Sequence, residues 1–228
     1  MSITPIITID GHSGSGKGTV SARVAEHLGF RLLDSGALYR ALGIAAYNLK
    51  VDLNKTIQIT ELINNIEIKF GANGPGTVLL NGEDITLMVR SELGGKMASK
   101  IGAIPEARKS LFGMQLAFRD GPGLVADGRD MGTVVFPDAL LKIFLTASVQ
   151  ERAERRYKQL IDKGIDAILP DLLRDLKERD KRDTERIASP LKPAEEAVII
   201  DSTDLSIQTV VDQVLSLFST VKKKSLRR

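Results

Sequence analysis

Lys17 has the plainest chemistry in this sequence, set in the run Asp10-Gly11-His12-Ser13-Gly14-Ser15-Gly16-Lys17-Gly18-Thr19. Glycines 11, 14 and 16 let backbone N–H groups converge on phosphate oxygens with no Cβ in the way. Lys17 adds a point charge, and the helix that starts there adds the positive end of its dipole. Gly11, Ser13, Gly14, Ser15, Gly16, Lys17, Gly18 and Thr19 form the candidate phosphate cradle. The run departs from G-x-x-x-x-G-K-[ST] by one place, because Gly18 follows Lys17 and Thr19 comes next. An apolar β-type stretch, Ile6-Ile7-Thr8-Ile9, precedes it, and a helical pattern of Val20, Val24, Ala25 and Leu28 follows. Strand, glycine loop, lysine and helix agree, which is the context this motif demands.

Three other clusters carry polar chemistry. Asp34 and Ser35 follow the apolar pair Leu32-Leu33, and either fits a helix cap. Tyr39 and Arg40, on the first turns of that helix, then project toward the carboxyl ends of parallel strands, where open α/β sheets bind ligands. Asp127-Gly128-Arg129-Asp130 follows Val125-Ala126 in the same manner. Asp127 stands at a strand terminus, where phosphate-loop enzymes keep a carboxylate facing Mg²⁺; an ordinary polar turn reads the same way. The third cluster is a row of arginines. Arg152, Arg155 and Arg156 fall at i, i+3 and i+4, and Arg179, Arg182, Asp183 and Arg186 repeat that spacing. Spacing alone fits a salt-bridged exposed helix pair as well as a lid closing over phosphates.

These groups need a scaffold, and the hydrophobic pattern supplies one. Apolar runs at 5–9, 30–33, 123–126, 141–145 and 197–200 mostly lack polar/apolar alternation. Helical patterns separate them, at 17–28, 38–48, 57–64, 91–101, 105–118, 149–163, 169–187 and 206–220. That predicts an α/β fold, a core of five parallel strands covered by helices on both faces. The rhythm breaks once, where short β-like runs at 67–70 and 77–81 flank a glycine-rich link, as in a hairpin. The expected division is a core of 1–50, 101–148 and 188–221, an insertion at 51–100, arginine-rich helices at 149–187, and a basic tail at 222–228.

Composition removes several classes of function. With no cysteine, thiolate nucleophiles, thiolate metal sites and disulfides are excluded, and two histidines make a histidine metal cluster a poor expectation. No apolar segment reaches membrane-spanning length and the N-terminus lacks a signal pattern, so the expected address is the cytoplasm. The net charge of +3 comes from the tail, where Lys222, Lys223, Lys224, Arg227 and Arg228 overlie a slightly acidic body. Such a tail is expected to be solvated. Three tyrosines, seven phenylalanines and no tryptophan offer little base stacking, so nucleic acid is not the expected partner.

The motifs GHSGSGKGT, LLDSGALYR, LVADGRDMGTVVFPDA, ERAERR, KERDKRD and IIDST run in this order through almost the whole chain. Together they resemble bacterial-type cytidylate kinases, a P-loop nucleoside-monophosphate kinase family. The resemblance implies ATP as phosphoryl donor, Mg²⁺, and CMP or dCMP as small-molecule acceptor, with the insertion as the monophosphate-binding subdomain. It implies that Lys17 bridges the β- and γ-phosphates, and that Thr19 and Asp127 serve the metal. Arg40, Arg129 and Arg186 are then expected on the acceptor phosphate, with Ser35 and Tyr39 nearby. Arg179 and Asp183 are expected at the sugar, and Ser99, Arg108 and Asp130 at the base. Arg152, Arg156 and Arg182 are the expected lid cations, which with Lys17 and Arg129 make up the catalytic set. His12 stands where many members carry proline and is expected to face solvent. A monomer is expected.

Two other readings lie open. A GTPase-like switch needs an N-K-x-D motif, and Asn54-Lys55-Thr56-Ile57 lacks the aspartate. Within enzymes, a UMP or AMP kinase is the nearest rival.

Overall fold

A computed structural model describes residues 4–70, 76–162 and 164–225. From the N-terminus the elements are β1 (Ile6–Gly11), α1 (Lys17–Leu28), β2 (Arg31–Asp34), α2 (Ser35–Asn48), α3 (Thr56–Asn64), β3 (Ile68–Phe70), β4 (Val78–Leu80) and β5 (Glu83–Asp84). Then come α4 (Thr86–Val89), α5 (Glu92–Ile101), α6 (Pro105–Leu116), β6 (Leu124–Gly128), β7 (Leu141–Thr146), α7 (Val149–Ile161), α8 (Leu169–Glu185), β8 (Val198–Asp201) and α9 (Ile207–Ser225). They divide into two compact units, Met1–Leu33 with Leu116–Arg228, and Asp34–Gln115.

The first unit is built on a five-stranded parallel sheet in the order β2-β6-β1-β7-β8. β1 is buried along its whole length. Its register sets Ile9 opposite Asp127 and Asp10 opposite Gly128 on β6, and Gly11 opposite Leu145 on β7. The carboxyl ends that carry polar residues therefore lie side by side. Ile7, Ile9, Val125, Ile143 and Leu145 pack with Val20, Val24 and Ala25 of α1 and Val210, Val211, Val214 and Phe218 of α9. The α9 residues recur at three- and four-residue spacing, one stripe facing the sheet. Each such aliphatic side chain contributes about 1.5–3 kcal/mol by leaving water, so the strand ends stand on a firm base.

The second unit holds α2 to α6 and an antiparallel sheet in which Ile68 faces Leu80 and Phe70 faces Val78. Its core joins Ala37, Ala41 and Ile44 of α2 to Val78, Ile85 and Val89. The unit begins at Asp34 and so takes in α2, which the sequence pattern assigned to the core. Small residues on α2 explain this: a Cβ on Gly43 would lie 2.7 Å from the Cβ of Met97 on α5.

Three features depart from the sequence expectation. β5 and α4 are too short, at two and four residues, to show a period. A turn of π-helix spans Met131–Val135, with Val135 N donating to Asp130 O and Phe136 N to Met131 O, each five residues back. α9 runs on to Ser225, through Lys222, Lys223 and Lys224, so part of the expected tail is helix. Lysines suit that end, where carbonyls accumulate negative charge. The link at 71–75 of the expected hairpin, residue 163 of the expected 149–163 helix and the tail end at 226–228 lie outside the described residues.

Candidate active site

The phosphate loop leaves β1 at Gly11 and enters α1 at Lys17. Gly14 and Gly16 take φ of 79° and 89°, a left-handed conformation that side chains resist. Gly16 is the N-cap of α1 and makes no side-chain cap bond, so the first helical N–H groups are left to an anion. Lys17 Nζ donates to His12 O at 3.0 Å. Arg152 Nη1 donates to Ser13 O at 3.0 Å, and Ser202 Oγ to Ser15 O at 3.2 Å. In a trans peptide the carbonyl and the next N–H point opposite ways. Holding these oxygens from outside the loop therefore turns the N–H groups of Gly14 and Gly16 away from Arg152 and Ser202. Ser15 Oγ is buried and finds no partner among the described residues, as suits a hydroxyl kept for a phosphate.

Asp127 flanks the loop. A Cβ on Gly18 would come 3.3 Å from Asp127 Oδ2, which accounts for glycine between Lys17 and Thr19. Asp127, Asp130 and Asp10 are all buried. Asp10 accepts from Met131 N and Gly132 N, each at 2.8 Å, and so pins the π-helical turn that follows Arg129 and Asp130. Burial pushes its carboxyl up to about 7; the charges of Asp130 and Asp127 act in the same sense, against the two N–H donors.

Beyond β6 the cations gather about one acid. Arg129 Nε donates to Asp183 Oδ2 at 3.0 Å and Nη1 to Gly128 O at 3.1 Å. Burial alone would raise the Asp183 carboxyl, yet it lies below its ordinary value, because Arg129, Arg179 and Arg186 surround it. Three guanidiniums act on this carboxylate, with Asp127 and Asp10 also acting on Arg129, and guanidinium groups are well suited to phosphate.

The helices α7 and α8 place the remaining arginines. Arg152 is buried, and its fork is engaged by Asp180, Ser13 O and Ala147 O, so the structure gives it a different task from the lid cation expected. Each of its three nitrogens bonds inside the protein, and the side chain is 3% exposed. Arg155 Nε donates to Glu151 Oε1 and its Nη2 to Ser202 O, at 2.8 and 2.6 Å. Arg156 is half-buried with a 3.4 Å bond to Gln159, and Arg182 is exposed with Glu178 4.0 Å away. His12 departs from a second expectation: it is half-buried and edge-on to Phe144 at 5.9 Å. Burial lowers its imidazole below the ordinary value, with Arg152, Arg129 and Lys17 adding to the effect and Asp180 opposing it.

Other expected residues lie in the second unit. Asp34 is the cap of α2, accepting from Ala37 N at 2.9 Å, and stands 3.6 Å from Arg40. Ser35 Oγ donates to Gln115 Oε1 at 3.3 Å. The Arg108 guanidinium lies 5.3 Å from the Tyr39 ring centroid and donates to Gly102 O. Ser99 is buried on α5. Sequence reasoning passed over Asp10, Gln115, Asp180 and Ser202. Asp180 and Ser202 sat inside quoted motifs, but nothing local marks them as partners of the loop.

A family model described as cytidylate kinase matches residues 7–220. The chain belongs to the cytidylate kinase family. A cytidylate kinase of Stutzerimonas stutzeri (strain A1501) is 55% identical over 215 residues, covering 93% of this chain and 94% of that protein. One of Cupriavidus pinatubonensis is 51% identical over 223 residues, covering 98% and 100%. Among solved structures, a gluconokinase from Sinorhizobium meliloti superimposes with a TM-score of 0.50 at 17% identity, over 99% of this chain and 98% of its own. That likeness concerns the fold alone.

Proposed function

We propose that this chain transfers the γ-phosphoryl group of ATP to CMP or dCMP, giving ADP and CDP or dCDP. One observation carries the reading beyond family membership. The first unit carries two separate sets of groups suited to phosphate, the loop around Lys17 and the guanidiniums that act on Asp183, Arg129 and Arg186 among them. A nucleotide switch needs only the first; a transferase needs a donor and an acceptor place.

An oxygen of the acceptor phosphate attacks the γ-phosphorus in line, and the bond from that phosphorus to the β,γ-bridging oxygen breaks, leaving ADP. The phosphate monoester attacks as a dianion, so no protein base is required. Lys17 and the loop N–H groups take the charge growing on the transferring and leaving oxygens. Arg129 and Arg186 hold the acceptor phosphate, and Arg179 and Asp183 take the sugar. We assign Arg156 and Arg182 to close over the donor, excluding water.

The residues fit a Mg²⁺ ion. Thr19 is exposed at the start of α1 and Asp127 lies against Gly18, and two oxygen donors suffice for an ion that keeps waters and phosphate oxygens as its other ligands. When bound it would neutralise charge between the phosphates.

In the second unit we assign Arg40, Ser35 and Tyr39 to the acceptor phosphate region and Ser99 and Arg108 to the base. Asp130, buried at the end of β6, completes the base-reading set. A carboxylate only accepts hydrogen bonds, so it pairs with the C4 amino group of cytosine and repels the C4 oxygen of uracil. Arg108 donates to the cytosine carbonyl and ring nitrogen. We place the enzyme in the cytoplasm as a monomer acting on free nucleotides; among the described residues no helix is long and apolar enough to cross a membrane.

A coupled ADP-release assay over CMP, dCMP, UMP and AMP tests the reading. CMP and dCMP should be turned over best. Preference for UMP or AMP, or tight GTP binding with no transfer to CMP, would overturn it.

A further inference from the structure

Arg152 is the first of the arginines in the ERAERR motif, yet it is 3% exposed and all three of its nitrogens donate inside the protein. Its Nη1 and Nη2 reach the two carboxylate oxygens of Asp180 on α8 at 3.1 and 2.6 Å. The same Nη1 donates to Ser13 O in the phosphate loop at 3.0 Å, and Nε to Ala147 O at 3.0 Å. The loop also lies directly on this residue: a Cβ on Gly14 would come 3.2 Å from the Cβ of Arg152. We infer that Arg152 and Asp180 are a positioning pair, which sets the phosphate loop in its binding geometry and makes no contact of its own with the transferring group.

The chemistry requires this pair as a unit. A guanidinium offers a planar fork, so one side chain bonds a carboxylate through two nitrogens and still donates to a carbonyl. A lysine supplies one centre and cannot reproduce all four contacts. Asp180 in turn neutralises the buried cation; without it Arg152 is an unpaired charge, free to swing away from Ser13 O. From the other side Ser202 Oγ holds Ser15 O. Two carbonyls of the loop are thus fixed from outside, by α7 through Arg152 and by the end of β8 through Ser202. Asp180 ties the first of these to α8, one turn before Asp183, which engages Arg129.

The inference rests on the reading of the loop as the ATP site and not on which monophosphate is the acceptor. Its test is therefore direct titration of a non-hydrolysable ATP analogue in the absence of any acceptor, followed by steady-state kinetics. Asp180→Asn keeps shape and removes charge. It should weaken the analogue by about tenfold, the effect of losing one charged hydrogen-bonding pair, and raise KM for ATP while KM for CMP stays within about twofold. Arg152→Lys should behave like Asp180→Asn in spite of its retained charge. In a double-mutant cycle Arg152→Ala with Asp180→Ala should cost no more than Arg152→Ala alone. Three results would overturn the pair: unchanged analogue affinity in Asp180→Asn, near-complete rescue by Arg152→Lys, or additive losses in the cycle. Where Arg152→Ala fails to fold, the isosteric Asp180→Asn titration decides alone.

Discussion

At Lys17 the ammonium already sits inside the loop it serves, 3.0 Å from His12 O. ATP phosphates offer a stronger partner than a carbonyl, so the lysine needs little rearrangement to engage them. Lys17→Ala should lose at least ~2 kcal/mol of transition-state stabilisation, as removal of a single oxyanion donor does, seen as a fall in kcat of about thirtyfold or more. Near-wild-type turnover would speak against the mechanism. Asp130 is the residue we propose for selectivity. Asp130→Asn gives the residue an amide that can donate as well as accept, and the ratio of kcat/KM for CMP over UMP should drop. An unchanged ratio removes Asp130 from the base. Both residues stand out from their motifs, whereas the Arg152 assignment needed the fold, because spacing places an arginine on a helix face without saying what that face meets.

At the scale of elements, the ends of β1, β6 and β7 are what hold the site together. At Gly11, which pairs with Leu145 of β7, φ is 154°, and a Cβ would stand 2.0 Å from Leu145 O, a backbone atom. Gly11→Ala should cost at least about 3 kcal/mol, at the upper end for overpacking, measured by denaturant unfolding. Wild-type stability would show that β7 can move. The turn after β6 hangs on Asp10, whose carboxyl is pushed up to about 7 from 3.8. Between these values the folded state binds more protons than the unfolded chain, so this group's contribution to stability falls as pH rises from about 4 to about 7 and is flat outside that window. Unfolding curves at pH 5 and pH 8 should show wild type losing stability relative to Asp10→Asn across the interval; a constant difference excludes the effect. No sequence pattern announces a π-helical turn, since its five-residue bonds depend on an anchor 121 positions away.

For the whole molecule, the division into units follows packing and not sequence order. The first unit carries the loop, the acidic strand ends and the guanidinium cluster; the second carries Ser35, Tyr39, Arg40, Ser99 and Arg108. The proposed monomer predicts a particle of one chain. Sedimentation at micromolar concentration should give a mass near 24.8 kDa, with or without nucleotide. A stable dimer would contradict the monomer assignment.

The apolar runs and glycine loop by themselves determined a parallel α/β sheet with a phosphate loop after its first strand, because these signals are local: side-chain period, glycine freedom and helix-start chemistry act within a few residues. The same locality made the strands at 5–9, 30–33, 123–126, 141–145 and 197–200 legible. Only the tertiary structure decided that α2 packs with α5, that Asp10 pins the turn after Asp130, and that Arg152 is spent on Asp180 and Ser13. Those outcomes turn on which long side chain meets which buried partner, and burial in a shared interior couples residues whose separation along the chain carries no information.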